Sequence, residues 1–140
     1  MTQAIAYLSF DGKCAEAMRF YEQALHGKLE VLMSGADSPI AAQIPKEFAD
    51  RILHARLALA GGGLLYGGDA PGHIPYEAIK GVSIAVDYPT VAEAEQVFAA
   101  LCEGGKVTMA MGPTFWAKRF GMVTDRYGTP WIVNGEPVPV

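Results

Sequence analysis

The chain writes one helix-to-strand junction twice. Residues 27–33 read Gly-Lys-Leu-Glu-Val-Leu-Met, and residues 105–111 read Gly-Lys-Val-Thr-Met-Ala-Met, a little over half of the 140-residue chain apart. Each copy follows a segment with helical apolar spacing. Each of those segments follows a short strand-like run ending in Asp: Tyr7-Leu8-Ser9-Phe10-Asp11 and Ser83-Ile84-Ala85-Val86-Asp87. A repeat of this length is too long for a solenoid unit. It predicts two similar modules that complete one another, with a site in the space between them.

The elements follow from periodicity. Strand one is expected over Ile5–Phe10, with Asp11 as the cap of the next helix. Cys14, Ala17, Met18, Tyr21, Ala24 and Leu25 recur at i, i+3, i+4, i+7 spacing and form one apolar stripe. Gly27 is placed to stop that helix in a left-handed conformation. Strand two covers 28–34. Gly35, Asp37, Pro39 and Pro45 make 35–50 a long loop, of the kind that serves as a lid. Strands three and four, 52–59 and 64–67, are joined by Gly61-Gly62-Gly63. In the second copy, strand five is expected over 82–87. Thr90-Val91-Ala92-Glu93 is a capping box, and Val91, Ala94, Phe98 and Leu101 form the stripe of the second helix. Strands six, seven and eight fall at 106–111, 115–124 and 131–134, and Trp131 reads as core. Each module is β-α-β-β-β.

The length suits one domain, residues 1–140, with module one about 1–70, a linker about 68–79 and module two about 80–140. Hydrophobic residues make up 51% of the chain and charged ones 19%, which suits a compact fold and argues against disorder. The eleven basic residues are scattered and the net charge is −4, so nucleic acid is not an expected partner. No apolar run is long enough to span a membrane and no signal peptide is visible, so a cytoplasmic protein is expected. Cys14 and Cys102 fall on the two helices, at matching places, as small buried residues.

Two βαβββ modules in tandem resemble the vicinal-oxygen-chelate superfamily, which includes glyoxalase I, extradiol dioxygenases and the bleomycin and fosfomycin resistance proteins. Within it the chain is similar to the PhnB-like branch, labelled 3-demethylubiquinone-9 3-methyltransferase. The residues that carry the likeness are Tyr7–Gly12, Phe20-Tyr21, His54-Ala55, Glu103–Met109 and above all the run from Thr114 to Gly128. The resemblance implies an α+β fold, two curved mixed sheets around a central cavity with the helices outside, and a homodimer.

Metal-dependent members of the superfamily carry one ligand on each of four strands. Matched to the neighbouring motifs, those positions fall on Ile5, Gly81, Ile132 and either Tyr66 or Gly67. Isoleucine and glycine offer no side-chain donor, so neither a metal nor another cofactor is expected. No Gly-x-Ser-x-Gly elbow is present, and the glycine triplet joins two strands, where a nucleotide loop would join a strand to a helix.

Strand alternation puts Leu53, Ala55, Leu57 and Leu59 on the apolar face of strand three and turns His54 and Arg56 the other way. His54 is a candidate acid, base or hydrogen-bond donor. Trp116 and Arg119 could form an aromatic wall with a cation, suited to a planar or anionic ligand. Tyr7, Ser9 and Tyr66 are candidate pocket hydroxyls. His26 suits a helix C-terminus, and His73 falls in the linker, exposed to solvent. The expected function is metal-free binding of a small organic molecule by Tyr7, Ser9, His54, Arg56, Tyr66, Trp116 and Arg119. The alternative is a lyase, isomerase or dioxygenase-type enzyme using His54, or a metal with unusual ligands.

Overall fold

A computed structural model describes residues 2–139. The chain divides into two compact units, the first ending at Ala78 and the second starting at Ile79. The first contains β1 (Tyr7–Phe10), α1 (Cys14–Ala24), β2 (Lys28–Ser34), β3 (Ile52–Ala58) and β4 (Leu64–Asp69). The second contains β5 (Ile84–Tyr88), α2 (Val91–Cys102), β6 (Lys106–Gly112), β7 (Ala117–Thr124) and β8 (Pro130–Pro137). The sheet orders are β1-β4-β3-β2 and β5-β8-β7-β6. In each sheet the first pair is parallel and the others are antiparallel. The chain is thus an α+β protein of two βαβββ modules. None of its described helices is long and apolar enough to cross a membrane.

Helix α1 forms on its apolar stripe: Cys14, Ala17, Met18, Tyr21, Ala24 and Leu25 are all buried. They cover Leu8 and Phe10 of β1, Ala55 and Leu57 of β3 and Leu65 of β4, which are buried too. Each large side chain removed from water in this way contributes roughly 1.5–3 kcal/mol. In the second unit Thr90 caps α2, its hydroxyl accepting the Glu93 amide at 3.2 Å. Ala94, Val97, Phe98 and Leu101 are buried. Val97 therefore belongs to the stripe, and Val91, expected there, is half-buried. Trp131 is core, as expected.

The repeated junction is the same structure in both units. An added Cβ at Gly27 would lie 2.7 Å from the Ala58 carbonyl oxygen, and one at Gly105 would lie 2.6 Å from that of Thr124. Ala58 and Thr124 are the strand partners of Lys28 and Lys106. Two residues past each lysine, at Glu30 and Thr108, the register slips by a bulge. Gly27 is thus required for close approach. The left-handed residue at the end of α1 is His26, with φ 58°, and not Gly27 as expected.

Several expectations are corrected. Asp11 does not cap α1; its carboxylate meets the Arg51 guanidinium at 2.8 Å. The Cys14 amide is instead held by Asp69 Oδ1, at 3.0 Å. Strand β4 runs on to Asp69, so Gly68 and Asp69 belong to the sheet and not to a linker. Asp87 lies inside β5, paired with Asn134, because Val86 and Tyr88 turn inward as Leu8 and Phe10 do. Its structural counterpart is Ser9 and not Asp11. Cys14 opens α1 whereas Cys102 closes α2, half-buried, so the cysteines do not match. Leu53 is not on the helix side. The ladder pairs Met33 with His54 and Ser34 with Ile52, so Leu53 is skipped. This reverses the alternation, which buries Ile52 and leaves Leu53 39% exposed on the opposite face.

Candidate functional site

On the face of the first sheet turned away from α1 lies a cleft of about 580 Å³. Its floor is Tyr7 and Ser9 of β1 and Leu53 of the β3 bulge. Alternation on β1 sends Leu8 and Phe10 under the helix and so leaves Tyr7 and Ser9 on the open side. The roof is the 35–50 loop, through Ile40, Gln43, Ile44, Pro45 and Phe48. Arg51, Asp69 and the segment from Ala70 to His73 complete the wall.

The loop has structure of its own, with 3-10 turns at Ala41–Gln43 and Lys46–Phe48. The Gly35 and Ala36 amides donate to the Arg51 and Ala49 carbonyls, each at 2.9 Å, which ties the base of the loop together. The Ser38 hydroxyl, buried, donates to the Gly35 carbonyl at 2.8 Å. Phe48 packs against Gly72 so closely that an added Cβ there would collide with its ring. The same ring lies under the Arg51 guanidinium, 5.9 Å from its centroid.

The charged groups of the wall are already engaged. Arg51 donates through Nη1 to the Ala70 carbonyl at 3.1 Å and through Nη2 to Asp11. Asp69 accepts the Cys14 amide on one oxygen and the Ile52 amide on the other, at 2.8 Å. Burial, reinforced by the Asp69 charge, pushes the Cys14 thiol up to about 12, so it is a packing group. Tyr7 donates its hydroxyl to the Leu53 carbonyl at 3.0 Å, and burial raises the phenol above its ordinary value.

Of the residues singled out in the sequence, Tyr7 and Ser9 line this cleft. His54 and Tyr66 gather beside it. The His54 ring stacks on Tyr7 with centroids 5.8 Å apart and meets Tyr66 edge-on at 5.1 Å. Arg56 pairs with Glu30 at 3.0 Å. Trp116 belongs to the second unit. It donates its indole N–H to Asn134 Oδ1 at 2.9 Å, and Asn134 donates to Asp87 at the same distance. The expectation that Arg119 shares a wall with Trp116 is not met. Arg119 has the parity of buried Ala117 and Val123, on the α2 side, and its guanidinium meets Glu95 of α2 at 3.1 Å. His73, expected only in solvent, is exposed and also lines the cleft.

Sequence reasoning missed Ile40, Gln43, Ile44, Phe48, Arg51 and His73. A signal was present: three large apolar residues, Ile40, Ile44 and Phe48, sit in a loop otherwise rich in turn residues. As for a metal, no group of three or more His, Cys, Asp or Glu side chains stands together among the described residues. Ile132, at an expected ligand position, pairs with Ala85 and Met122 in the ladder and brings no donor atom. The residues present do not fit the superfamily's metal. Gly61 and Gly62, both at positive φ, turn β3 into β4, so the triplet is a hairpin turn.

A family model described as 3-demethylubiquinone-9 3-methyltransferase matches residues 2–134. The chain is similar to protein YjdN of Escherichia coli (strain K12), with 35% identity over 137 residues, 91% of either protein. It is similar to the crystal structure of protein PA1353 from Pseudomonas aeruginosa, with a TM-score of 0.86 and 46% identity, covering 96% of this chain and 97% of that one. A glyoxylase/bleomycin resistance protein/dioxygenase domain from Frankia sp. EAN1pec shares the fold, with a TM-score of 0.64 at 13% identity, over 96% and 98% of the two chains.

Proposed function

The chain belongs to the 3-demethylubiquinone-9 3-methyltransferase (PhnB-like) family, with the fold of the glyoxalase/bleomycin-resistance proteins, and from that premise we propose that it is a small-molecule-binding protein whose ligand lies beneath the 35–50 loop. The observation that carries this reading is the cleft itself. Its volume falls in the range of small-molecule sites, and its walls are mostly apolar with a few polar groups. Ile40, Ile44, Phe48 and Leu53 supply area. Ser9 and Gln43 supply hydrogen bonds that would fix orientation. The methyltransferase wording of the family description gains no support from the glycine triplet, which is a hairpin turn.

The test is thermal unfolding of the purified protein against a panel of small aromatic and aliphatic alcohols, ketones and carboxylates. A binder raises Tm with concentration as mass action requires. A Ser9→Trp substitution, which fills the floor from an exposed position, should abolish the rise. If no compound raises Tm, or if Ser9→Trp leaves the rise intact, the ligand does not occupy this cleft.

A further inference from the structure

We infer that the ligand of this cleft is an uncharged, largely apolar molecule, and not the anion that a pocket containing arginine would suggest. The inference rests on reading the cleft as the ligand site. A bound anion must recover, from the wall, the hydration it loses on entry. The only arginine in the wall is Arg51, and its charge is already met by Asp11 at 2.8 Å, the Ala70 carbonyl and the Phe48 ring. The wall also carries Asp69, a carboxylate whose field opposes a second negative charge. The other candidate arginine of this unit, Arg56, has a partner of its own in Glu30. A cation gains little more, because both Asp69 oxygens already accept backbone amides. What the wall offers freely is apolar surface, from Ile40, Ile44, Phe48 and Leu53, and hydrogen-bonding groups on Ser9, Gln43 and the exposed His73.

Two fluorescent probes of similar size separate the possibilities: neutral N-phenyl-1-naphthylamine and anionic 8-anilino-1-naphthalenesulfonate. Titrated into the purified full-length protein, the neutral probe should bind saturably, one per chain, at least tenfold more tightly than the anion. Leu53→Gln should weaken the neutral probe at least fivefold. Ile40→Gln, at a position 46% exposed and so tolerant of a polar residue, should weaken it at least twofold and covers the case in which Leu53→Gln fails to fold. If the anion binds as tightly as the neutral probe and both substitutions weaken it, the cleft is the site but its ligand class is wrongly assigned. If neither probe saturates, or if binding ignores both substitutions, the cleft is not the ligand site and the inference falls with that reading.

Discussion

Asp69, the last residue of β4, holds the first amide of α1: its Oδ1 accepts the Cys14 N–H at 3.0 Å, across 55 positions of sequence. Its other oxygen accepts the Ile52 amide at the start of β3. One carboxylate thus fastens a helix, the edge of the β3 bulge and the end of β4. Asp69→Ala should cost about 2–3 kcal/mol, because it leaves two backbone donors without a partner. Asp11→Ala removes an exposed ion pair and should cost under about 1 kcal/mol. Urea unfolding of the two variants checks the order, and equal losses would contradict this assignment of the cap.

In the second unit the buried Asp125 does comparable work inside a turn. It accepts the Tyr127 and Thr129 amides on Oδ1, at 2.8 and 3.0 Å, and the Trp131 indole N–H on Oδ2, at 2.7 Å. Asp125→Ala strands all three donors and should cost at least about 3 kcal/mol. Trp131→Phe should cost less than Asp125→Ala. The reverse order, read from unfolding midpoints, would show that indole packing dominates the turn.

Gly72 is the point against which the Phe48 ring of the roof packs. Gly72→Ala puts a methyl group where the Phe48 ring lies, so the ring must leave. Chymotrypsin cleavage after Phe48 should accelerate at least about fivefold, with Tm lowered by only a few degrees, since local opening governs cleavage of a loop. An unchanged cleavage rate would mean that the ring has another place to pack.

Burial holds the Cys14 thiol and the Tyr88 phenol at about 12 in the folded protein, with the Asp69 and Glu93 charges adding to it respectively. The ordinary values are 9.0 and 10.0. Both pKa values are raised, so the stability they contribute is complete below the ordinary values and is lost as pH rises through about 12. Between those limits stability should fall by up to about 1.4 kcal/mol per pH unit for each group. Urea midpoints from about pH 8 to about pH 11 check this, and Cys14→Ala should flatten the lower part of the fall.

The chain is expected to form a homodimer. Edge strand β6 leaves Val107 45% and Met109 48% exposed, an apolar edge of the kind that proteins cover. Light scattering should give twice the chain mass, and Val107→Lys with Met109→Lys should shift the mass toward one chain. A monomer mass at every concentration would rule the dimer out.

Much of the fold was legible because it is written locally. The α1 stripe and the run Lys28–Ser34 each lie within one turn-to-turn stretch, and their periodicity survives folding. The features that were not legible depend on distant partners. Nothing near Asp11 reveals that Asp69, on β4, will take the cap. The single skipped residue at Leu53 reverses a face, and no local pattern announces it. Arg119 does not stand beside Trp116 because the two lie three positions apart, an odd spacing that alternation turns to opposite faces, and Arg119 shares the parity of buried Ala117 and Val123. The face that Tyr7 and Ser9 take was legible because β1 alternates cleanly. The rest of the cleft comes from a loop, which has no period to read.

Every strand pairing of both sheets joins residues from the same half of the chain. A ribosome moving along this message therefore delivers all four strands of the first sheet, and the helix that covers them, before it begins the second. The first half can close its ladder and bury its core while the second is still being made. The doubled junction of Gly27-Lys28 and Gly105-Lys106 is then more than a trace of duplication: it gives the growing polypeptide the same folding problem twice, each time small enough to be solved at once.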